Sequence, residues 1–505
     1  MVFSSVVFVF VFLPVALAIH TLLVWYSLYR KKNVIFAPGA EPKSTFAACN
    51  TFLLMASLFF YAWGEPYHVI VMIISASVNY TFGLALNTAE RHDGRRKLIV
   101  TLSVLFNLGL LGYYKYMNMF VDSGGIALIN TFLPSSWHIP NVAKVALPLG
   151  VSFYTFQGMS YVLDVYRGDV RATLNLVTFS CYLTMFPQLV AGPIVRYSTI
   201  EEELKDREVS PERFVGGAFR FIVGLAKKLL IADTLARVAD ASFSVPTGQL
   251  SPLAAWAGVI AYAFQIYYDF SGYSDMAIGM GHMLGFTFLE NFNYPYIARS
   301  VKDYWRRWHI SLSTWFRDYL YISLGGNRRG MIRTSVNSLI VFALCGLWHG
   351  ASWIFLVWGL YHGFFLALER IFPNFTKKMP RLLQHTYVIL VFLMGWVLFR
   401  SDNFIHAGVY YKSLLGFYEA GVQTNLVWLR LFKLDVYLAF LFGAIGAAPI
   451  IPWMKQRFDA FTSRAPLPVS LACQTCVALL MLALLIVCFM PLFGATFTPF
   501  IYFRF

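Results

Sequence analysis

Charged side chains are scarce in this chain of 505 residues, since Asp, Glu, Lys and Arg together make up 13% of it. Soluble domains carry about 25% charged residues, so the composition excludes a chain built of ordinary soluble domains. Hydrophobic residues make up 58%, and the mean hydropathy is +0.61. Apolar runs of about 20 residues recur along the whole length, and each can cross a ~30 Å hydrocarbon core as a helix. They predict an all-α fold, a polytopic integral membrane protein with about 11 transmembrane helices plus re-entrant or interfacial helices.

Cysteine is also sparse, and the spacing of the six cysteines forms neither a zinc site nor a disulfide framework. Most of them lie inside apolar runs. Cys473 and Cys476 form a C-x-x-C pair in a late apolar run, which we interpret as helix packing. The sequence therefore predicts no metal site.

Acidic residues number 25 against 40 Lys and Arg, which gives a net charge of +15. A basic balance can indicate nucleic-acid binding, but here the cations cluster in short connectors between apolar runs. The positive-inside rule explains that distribution, so no nucleic-acid partner is expected. Arg30, Lys31 and Lys32 follow the first apolar run, which predicts an N-terminus outside the cell and a first loop inside it.

A proline-containing stretch at Phe186–Ile194 interrupts the apolar pattern. Pro187 and Pro193 flank a glycine there, so the stretch cannot continue a regular helix. It predicts a re-entrant or broken element, which is tolerated only where protein or a water-filled cavity surrounds the freed backbone. A proline-kinked ordinary span is the alternative.

A polar stretch at Tyr267–Asp275 follows another apolar run. Its Asp269, Ser271 and Asp275 cannot face lipid. We expect these side chains to line a cavity or to anchor a helix end, and to build the site rather than act in chemistry.

A basic segment at Arg299–Arg333 contains Arg306 and Arg307 among eight cations, with tryptophan and tyrosine interleaved. This composition predicts a helix lying in the membrane interface on the cytoplasmic side. Its cations are suited to the phosphates of an anionic ligand. Membrane topology and attraction to anionic lipids explain the same charge equally well.

His349 lies near the end of an apolar run that begins near Val336, where an ionisable side chain is costly. A buried imidazole beside Trp348 has three readings: a packing hydrogen bond, a proton relay, or a general base. Imidazole suits base work because its unperturbed pKa of ~6.5 lies near operating pH. At ~1.5 Å per residue, a helix from Arg333 places His349 about 24 Å along it, deep in the membrane. A second histidine, His309, lies in the basic segment.

Six short motifs occur in order along the chain. They are Pro187-Gln188-Leu189-Val190-Ala191-Gly192-Pro193, Tyr268-Asp269-Phe270-Ser271-Gly272-Tyr273-Ser274-Asp275, Trp305-Arg306-Arg307-Trp308-His309, Arg317-Asp318-Tyr319-Leu320-Tyr321, Gly325-Gly326-Asn327-Arg328 and Trp348-His349-Gly350. Together they resemble the membrane-bound O-acyltransferase (MBOAT) family, in particular its bacterial branch that O-acetylates alginate. The resemblance covers essentially the whole chain.

The resemblance implies the MBOAT fold in a single membrane-embedded domain over residues 1–505. Within it we expect N-terminal spans at 1–120, a catalytic core at 146–400 and C-terminal spans at 401–505. His349 is implied to be the catalytic histidine and His309 a second histidine associated with activity. Residues expected to bind the donor or line a tunnel are Trp348, Asp269, Ser271, Asp275, Gln188, Arg306 and Arg307.

The implied function is transfer of an acetyl group from a cytoplasmic thioester donor across the membrane, for O-acetylation of an exported alginate-like polysaccharide. His349 would act as the general base. We expect no bound cofactor, a donor that is acetyl-CoA or an acyl carrier, and an extracytoplasmic acetyltransferase or polymer-modifying subunit as partner. The implied location is the bacterial inner membrane.

Three alternatives remain at this point. One is D-alanyl transfer to teichoic acid, by the related MBOAT branch. Another is a proton-coupled transporter with His349 as relay, which predicts mid-span carboxylate pairs and internal repeats that the sequence hardly offers. The third is a non-catalytic assembly subunit.

Overall fold

The computed structural model describes residues 1–33, 45–89, 94–133, 144–190, 192–246, 249–418, 431–494 and 500–501. Over these ranges the chain forms helices and no strand, which confirms the all-α fold. Predicted connectors at 34–43 and around 90–93, and most of the C-terminal aromatic tail, lie outside the described residues. The chain divides into two compact units, which are described separately below.

The first unit comprises residues 1–3, 7–217 and 277–289. A π-helical turn at Phe8–Phe12 leads into its first helix. The helices are α1 (Leu13–Asn33), α2 (Ala47–Gly64), α3 (Val69–Thr88), α4 (Gly94–Leu111), α5 (Met117–Asp122), α6 (Gly125–Phe132), α7 (Val151–Arg167), α8 (Leu176–Thr184), α9 (Phe186–Leu189), α10 (Tyr197–Lys205) and the first part of α11 (Pro211–Ala226).

The second unit comprises residues 4–6, 218–276 and 290–505. After the end of α11 and a π-helical turn at Lys227–Ala232, its helices are α12 (Asp233–Phe243), α13 (Pro252–Met283, whose last residues belong to the first unit), α14 (Val301–Trp305), α15 (Ile310–Trp315), α16 (Gly330–His349), α17 (Trp353–Ile371), α18 (Asn374–Lys377), α19 (Arg381–Arg400), α20 (Phe404–Leu414), α21 (Leu434–Gly446), α22 (Ile450–Thr462) and α23 (Leu467–Gly494).

Eight described helical stretches are long and apolar enough to cross a membrane, or nine if α21 and α22, bent by 66°, form one span. The protein is therefore a multi-pass membrane protein, while the predicted count of about 11 spans is not confirmed. The difference has a physical reason. The apolar run at 146–165, which we counted as a span, forms α7, which has only 17 residues. The apolar run near 252–268, which we also counted, is part of the polar 32-residue α13.

The proline-containing stretch in the first unit is a broken element, as predicted. Helix α8 ends at Thr184, Met185 takes an extended conformation with ψ 117°, and α9 lasts only four residues. Residues 185–190 are all buried, and the backbone N–H of Phe186 donates to Ser57 Oγ on α2 at 3.0 Å. The interrupted helix leaves the Phe186 N–H without a helical acceptor, and a side chain of the same unit accepts its hydrogen bond instead.

Helices α16 and α17 of the second unit contact each other closely. A Cβ on Gly346 would lie 2.2 Å from the carbonyl oxygen of Phe355, and one on Gly359 would lie 2.1 Å from that of Phe342. The helices are antiparallel, since Arg370 near the end of α17 donates to the Thr334 carbonyl near the start of α16 at 2.8 Å. Glycine at both crossing points allows the backbones to touch.

We call residues 301–326 the dipping segment. This segment runs along the α16–α17 pair, turns, and returns along it. At its start, Val301 N–H donates to Glu369 on α17 at 2.7 Å. The chain then descends until the His309 ring lies 6.0 Å from the Trp348 ring, near the opposite end of α16. It returns to Gly326, whose carbonyl accepts from Asn337 Nδ2 at 3.0 Å.

The dipping segment differs from the single interfacial helix that its composition predicts. Its tryptophans pack inside the unit: Trp305 contacts Phe342 with ring centroids 5.1 Å apart, and Trp308 contacts Trp396 at the same distance. The segment extends along most of α16, since Thr334 and Trp348 are about 20 Å apart along that helix at ~1.5 Å per residue. The segment is thus a re-entrant element of two short helices, α14 and α15, the second continued by a π-helical stretch at Phe316–Tyr321, with His309 near its innermost turn.

The polar stretch Tyr267–Asp275 lies within α13, not at a helix end. Helices α11 and α13 approach closely there, because a Cβ on Gly224 would lie 2.6 Å from the Gly272 carbonyl oxygen. Cations of α11 and the following turn meet the acidic residues of α13 in ion pairs. These are Lys228–Asp269 at 2.7 Å, Lys227–Asp275 at 2.6 Å and Arg220–Asp275 at 2.9 Å. The pairs compensate buried charge and fix α13 in the unit.

We predict that Gly346→Ala lowers the thermal stability of the protein. The added methyl group must push α16 away from α17, and overpacking of this kind costs about 1–3 kcal/mol. Thermal unfolding of the detergent-solubilised protein, followed by size-exclusion chromatography, measures the change. The matched control is Gly408→Ala in α20, where a Cβ meets no atom within 4 Å. That control should keep or slightly raise the midpoint; equal midpoints for both variants would contradict the close crossing.

Candidate active site

His349 is the last residue of α16 and is 3% exposed. Its ring is enclosed by aromatic side chains, with centroid distances of 5.0 Å to Trp348, 5.1 Å to Trp358 and 5.4 Å to Phe399. The end of α16 therefore places a buried imidazole within a cluster of aromatic rings.

His309 is 1% exposed and has φ +45°, a left-handed conformation that is unusual for a residue with a side chain. The Phe270 ring of α13 packs edge-on against its ring at 4.6 Å. Residue 309 lies outside the candidate spans, and burial lowers the pKa of its imidazole to about 3. His309 is consequently neutral at physiological pH.

Asn291 holds the inner turn of the dipping segment through a single side-chain oxygen. Its Oδ1 lies 3.1 Å from His309 Nδ1 and accepts from Ser311 at the backbone N–H (3.2 Å) and at Oγ (2.9 Å). Its Nδ2 donates to Ser274 Oγ on α13 at 3.1 Å. The backbone adds a further bond, from Ile310 N–H to the Asn291 carbonyl at 2.9 Å.

Trp348 contacts both histidines, at 6.0 Å from His309 and 5.0 Å from His349. The structure thus brings His309 close to Trp348 and His349, which belong to a different sequence motif. No group of three His, Cys, Asp or Glu side chains able to hold a metal ion occurs among the residues described.

The other predicted site residues have different surroundings. Ser271 is 3% exposed on α13, one residue beyond Phe270. Asp269 and Asp275 are engaged in the ion pairs described above, and Asp269 Oδ2 also accepts from the Ile501 N–H at 2.7 Å. These two carboxylates are therefore bound to cations and backbone of the second unit.

Gln188 belongs to the first unit, where its Nε2 donates to the Tyr182 carbonyl at 2.5 Å. In the dipping segment, Arg307 is half-buried and pairs with Asp303 at 2.9 Å, while Arg306 is exposed. Arg306 forms no ion pair with any residue in the described ranges. Exposed cations that share this property are Arg299, Lys302, Arg328, Arg329 and Arg333.

The sequence reasoning missed the residues that position the histidines. Asn291 lies in an Asn-Phe-Asn stretch without a recognisable motif, and Trp358 and Phe399 read as ordinary residues of apolar spans. His362, one turn beyond Trp358 on α17, was also missed. It is fully buried, and its ring stacks on Phe392 at 4.8 Å. An ionisable residue inside an apolar run was the signal that could have found it.

Comparison with known proteins identifies the family. The sequence profile described as MBOAT, the membrane-bound O-acyltransferase family, matches residues 169–403. A protein named probable alginate O-acetylase AlgI from Azotobacter vinelandii is 42% identical over 83% of this chain and 78% of its own length. A protein of the same name from Pseudomonas putida is 37% identical over the whole of both chains.

A more distant relative, the peptidoglycan O-acetyltransferase of Helicobacter pylori, is 33% identical over 82% of this chain and 80% of its own length. Its similarity, like that of the first relative, covers most of both chains. The helical architecture, the membrane spans and these matches lead to one classification. The chain belongs to the membrane-bound O-acyltransferase family and is a multi-pass membrane O-acyltransferase.

Proposed function

We propose that this enzyme transfers an acetyl group from a cytoplasmic thioester to a hydroxyl of an exported, alginate-like polysaccharide, directly or through a partner protein. The observation that carries the proposal is the pair of buried imidazoles, His309 and His349, which both contact Trp348. All three relatives described above are named for O-acetylation, which supports acetyl over D-alanyl transfer.

His349 is the general base of this proposal. Its neutral ring takes the proton of the acceptor hydroxyl as the oxygen attacks the thioester carbonyl carbon. A carbon–oxygen bond forms, the carbon–sulfur bond breaks, and the sulfur leaves with the bonding electron pair. The imidazolium then returns its proton to the thiolate, so no metal or oxidant is consumed.

The donor approaches from the side of the dipping segment's two ends. Five exposed cations near those ends, Arg299, Lys302, Arg328, Arg329 and Arg333, and Arg306 between one end and His309 form no ion pair with the described residues. They suit the phosphates of acetyl-CoA or an acidic acyl carrier. Arg306 is the cation of this set nearest to His309 in sequence. The positive-inside rule assigns the same side to the cytoplasm.

The acceptor approaches from the opposite end of α16, where His349 is the last helical residue. With the basic end inside, that end of α16 faces outward. The proposal also includes an N-terminus outside, which the cations after the first apolar run support, and a location in the bacterial inner membrane. An extracytoplasmic acetyltransferase or polymer-modifying subunit is the partner this direction requires. Such a partner would carry the acetyl group to the polymer if the polymer does not itself reach His349.

We predict that His349→Ala lowers acetyl transfer by at least about 100-fold, the loss expected for a general base. The assay supplies the purified, membrane-reconstituted protein with labelled acetyl-CoA and candidate acceptors, and follows the label. The matched control is His362→Phe. It removes another buried imidazole of the same aromatic cluster, one whose ring nitrogens form no hydrogen bond with any described residue. Full activity of folded His349→Ala protein would refute the base assignment.

A second prediction separates donor binding from folding in the dipping segment. Arg306→Glu should raise the KM for the thioester donor several-fold with little change in kcat, because Arg306 is exposed and has no ion-pair partner among the described residues. Arg307→Glu should instead reduce the yield of folded protein, because it places two acids together at Asp303. Steady-state kinetics and size-exclusion yield distinguish them. An unchanged KM for Arg306→Glu would leave these charges with a role in topology alone.

A further inference from the structure

The tautomer of His309 can be derived from its hydrogen bonds. Asn291 Oδ1 and Nδ2 look alike in shape, so their assignment needs a partner whose role is certain. The backbone N–H of Ser311 is such a partner, since it can only donate, and it faces this atom of Asn291 at 3.2 Å. The atom is therefore the amide oxygen, an acceptor.

The same oxygen lies 3.1 Å from His309 Nδ1. A neutral imidazole has one N–H and one bare nitrogen, and only the N–H can donate to a carbonyl oxygen. The proton of His309 is accordingly on Nδ1. It follows that Nε2 carries the lone pair and is the nitrogen able to accept.

We propose that Asn291 is a positioning residue that fixes the proton of His309 on Nδ1 and so presents Nε2 as an acceptor to the reactants. This inference rests on the proposed function for its catalytic consequence. The proton of the attacking hydroxyl goes to His349, while His309 Nε2 accepts a hydrogen bond from another donor group of the reactants and gives none to the thioester. Protonation of the leaving sulfur falls to His349, which holds the proton after the attack.

A purely structural role for Asn291 would be to cap α15, and the bonds from Ser311 fit that role. Two observations are not explained by capping alone. The His309 ring faces the Asn291 side-chain oxygen even though residue 309 has a left-handed backbone with φ +45°. Asn291 Nδ2 also donates to the buried Ser274 on α13. An amide fixed from three sides cannot rotate to offer its NH₂ to the imidazole.

The groups around His309 allow a pH test. Elements packed against its ring are α13 through Phe270, the 290–300 connection through Asn291, and α16 through Trp348, with titratable His349 adjacent. The nearby acids Asp269 and Asp275 of α13 are paired with Lys228, Lys227 and Arg220. Burial is the cause that lowers the pKa of His309, which favours the neutral ring in the wild type.

Asn291→Asp keeps the acceptor oxygen but adds a negative charge beside Nδ1–H. A carboxylate there stabilises the imidazolium and raises the pKa of His309. Because the reaction needs the neutral ring, activity should be retained at high pH and lost on acidification at a higher pH than in the wild type. Asn291→Ala should lower kcat at every pH by at least about tenfold, since a wrong tautomer is costly in other histidine catalysts, with the donor KM nearly unchanged.

The decisive measurement is NMR of the full-length protein labelled with ¹⁵N and ¹³C histidine, with His309 assigned by its loss in His309→Gln. We expect an Nδ1–H signal in the wild type and in Asn291→Asp, and tautomer mixing in Asn291→Ala. Asn107→Ala, a buried asparagine of the first unit bonded to Asn79, controls for general loss of stability and should leave the His309 signal and the pH profile unchanged.

An Nε2–H signal in the wild type, or an unchanged signal in Asn291→Ala, would overturn the inference. These spectra do not depend on acetyl transfer. If they show the expected tautomers while His349→Ala remains active, the proposed function fails and the orientation of His309 by Asn291 stands.

Discussion

The contact between the backbones of α16 and α17 is the constraint on which the second unit depends. Glycine at 346 and 359 lets the two helices touch, and this pair forms the surface that the dipping segment follows. Trp305 and Trp308 then pack against α16, α17 and α19. Only with that packing does His309 reach the neighbourhood of Trp348 and His349. A wider crossing would separate the imidazoles by displacing the helix that carries one of them.

Much of the fold could be predicted from the sequence. Long apolar runs identified α1, α2, α3, α17, α19 and α23 because a helix in lipid must be continuous and apolar. Segments enclosed by protein obey no such rule. The dipping segment carries many cations and aromatics, which is typical of an interface, yet its aromatic side chains face inward and its cations outward. Helix α13 likewise continues through two aspartates because paired cations compensate their charge.

The candidate site was predicted in part. His349 and His309 were found because an imidazole in an apolar or tryptophan-rich setting is unusual, and Trp348 because it adjoins one of them. Asn291 could not be found this way. Its role depends on a side-chain oxygen that forms hydrogen bonds with residues about 20 positions later in the chain. Those residues come close to Asn291 only after the chain turns at His309. Patterns in a single sequence show local periodicity. They cannot show that two residues about 20 positions apart contact each other in the folded chain.

The left-handed backbone of His309 has a consequence for how this enzyme can change. A residue with a side chain held in that region is strained by about 1–3 kcal/mol, and glycine would relieve the strain. Glycine, however, has no imidazole. Selection for a more stable fold and selection for turnover thus favour different residues at position 309, and the surrounding hydrogen bonds of Asn291 are what keep the less stable choice in place. The strain at His309 is offset by interactions elsewhere in the protein that stabilise the fold.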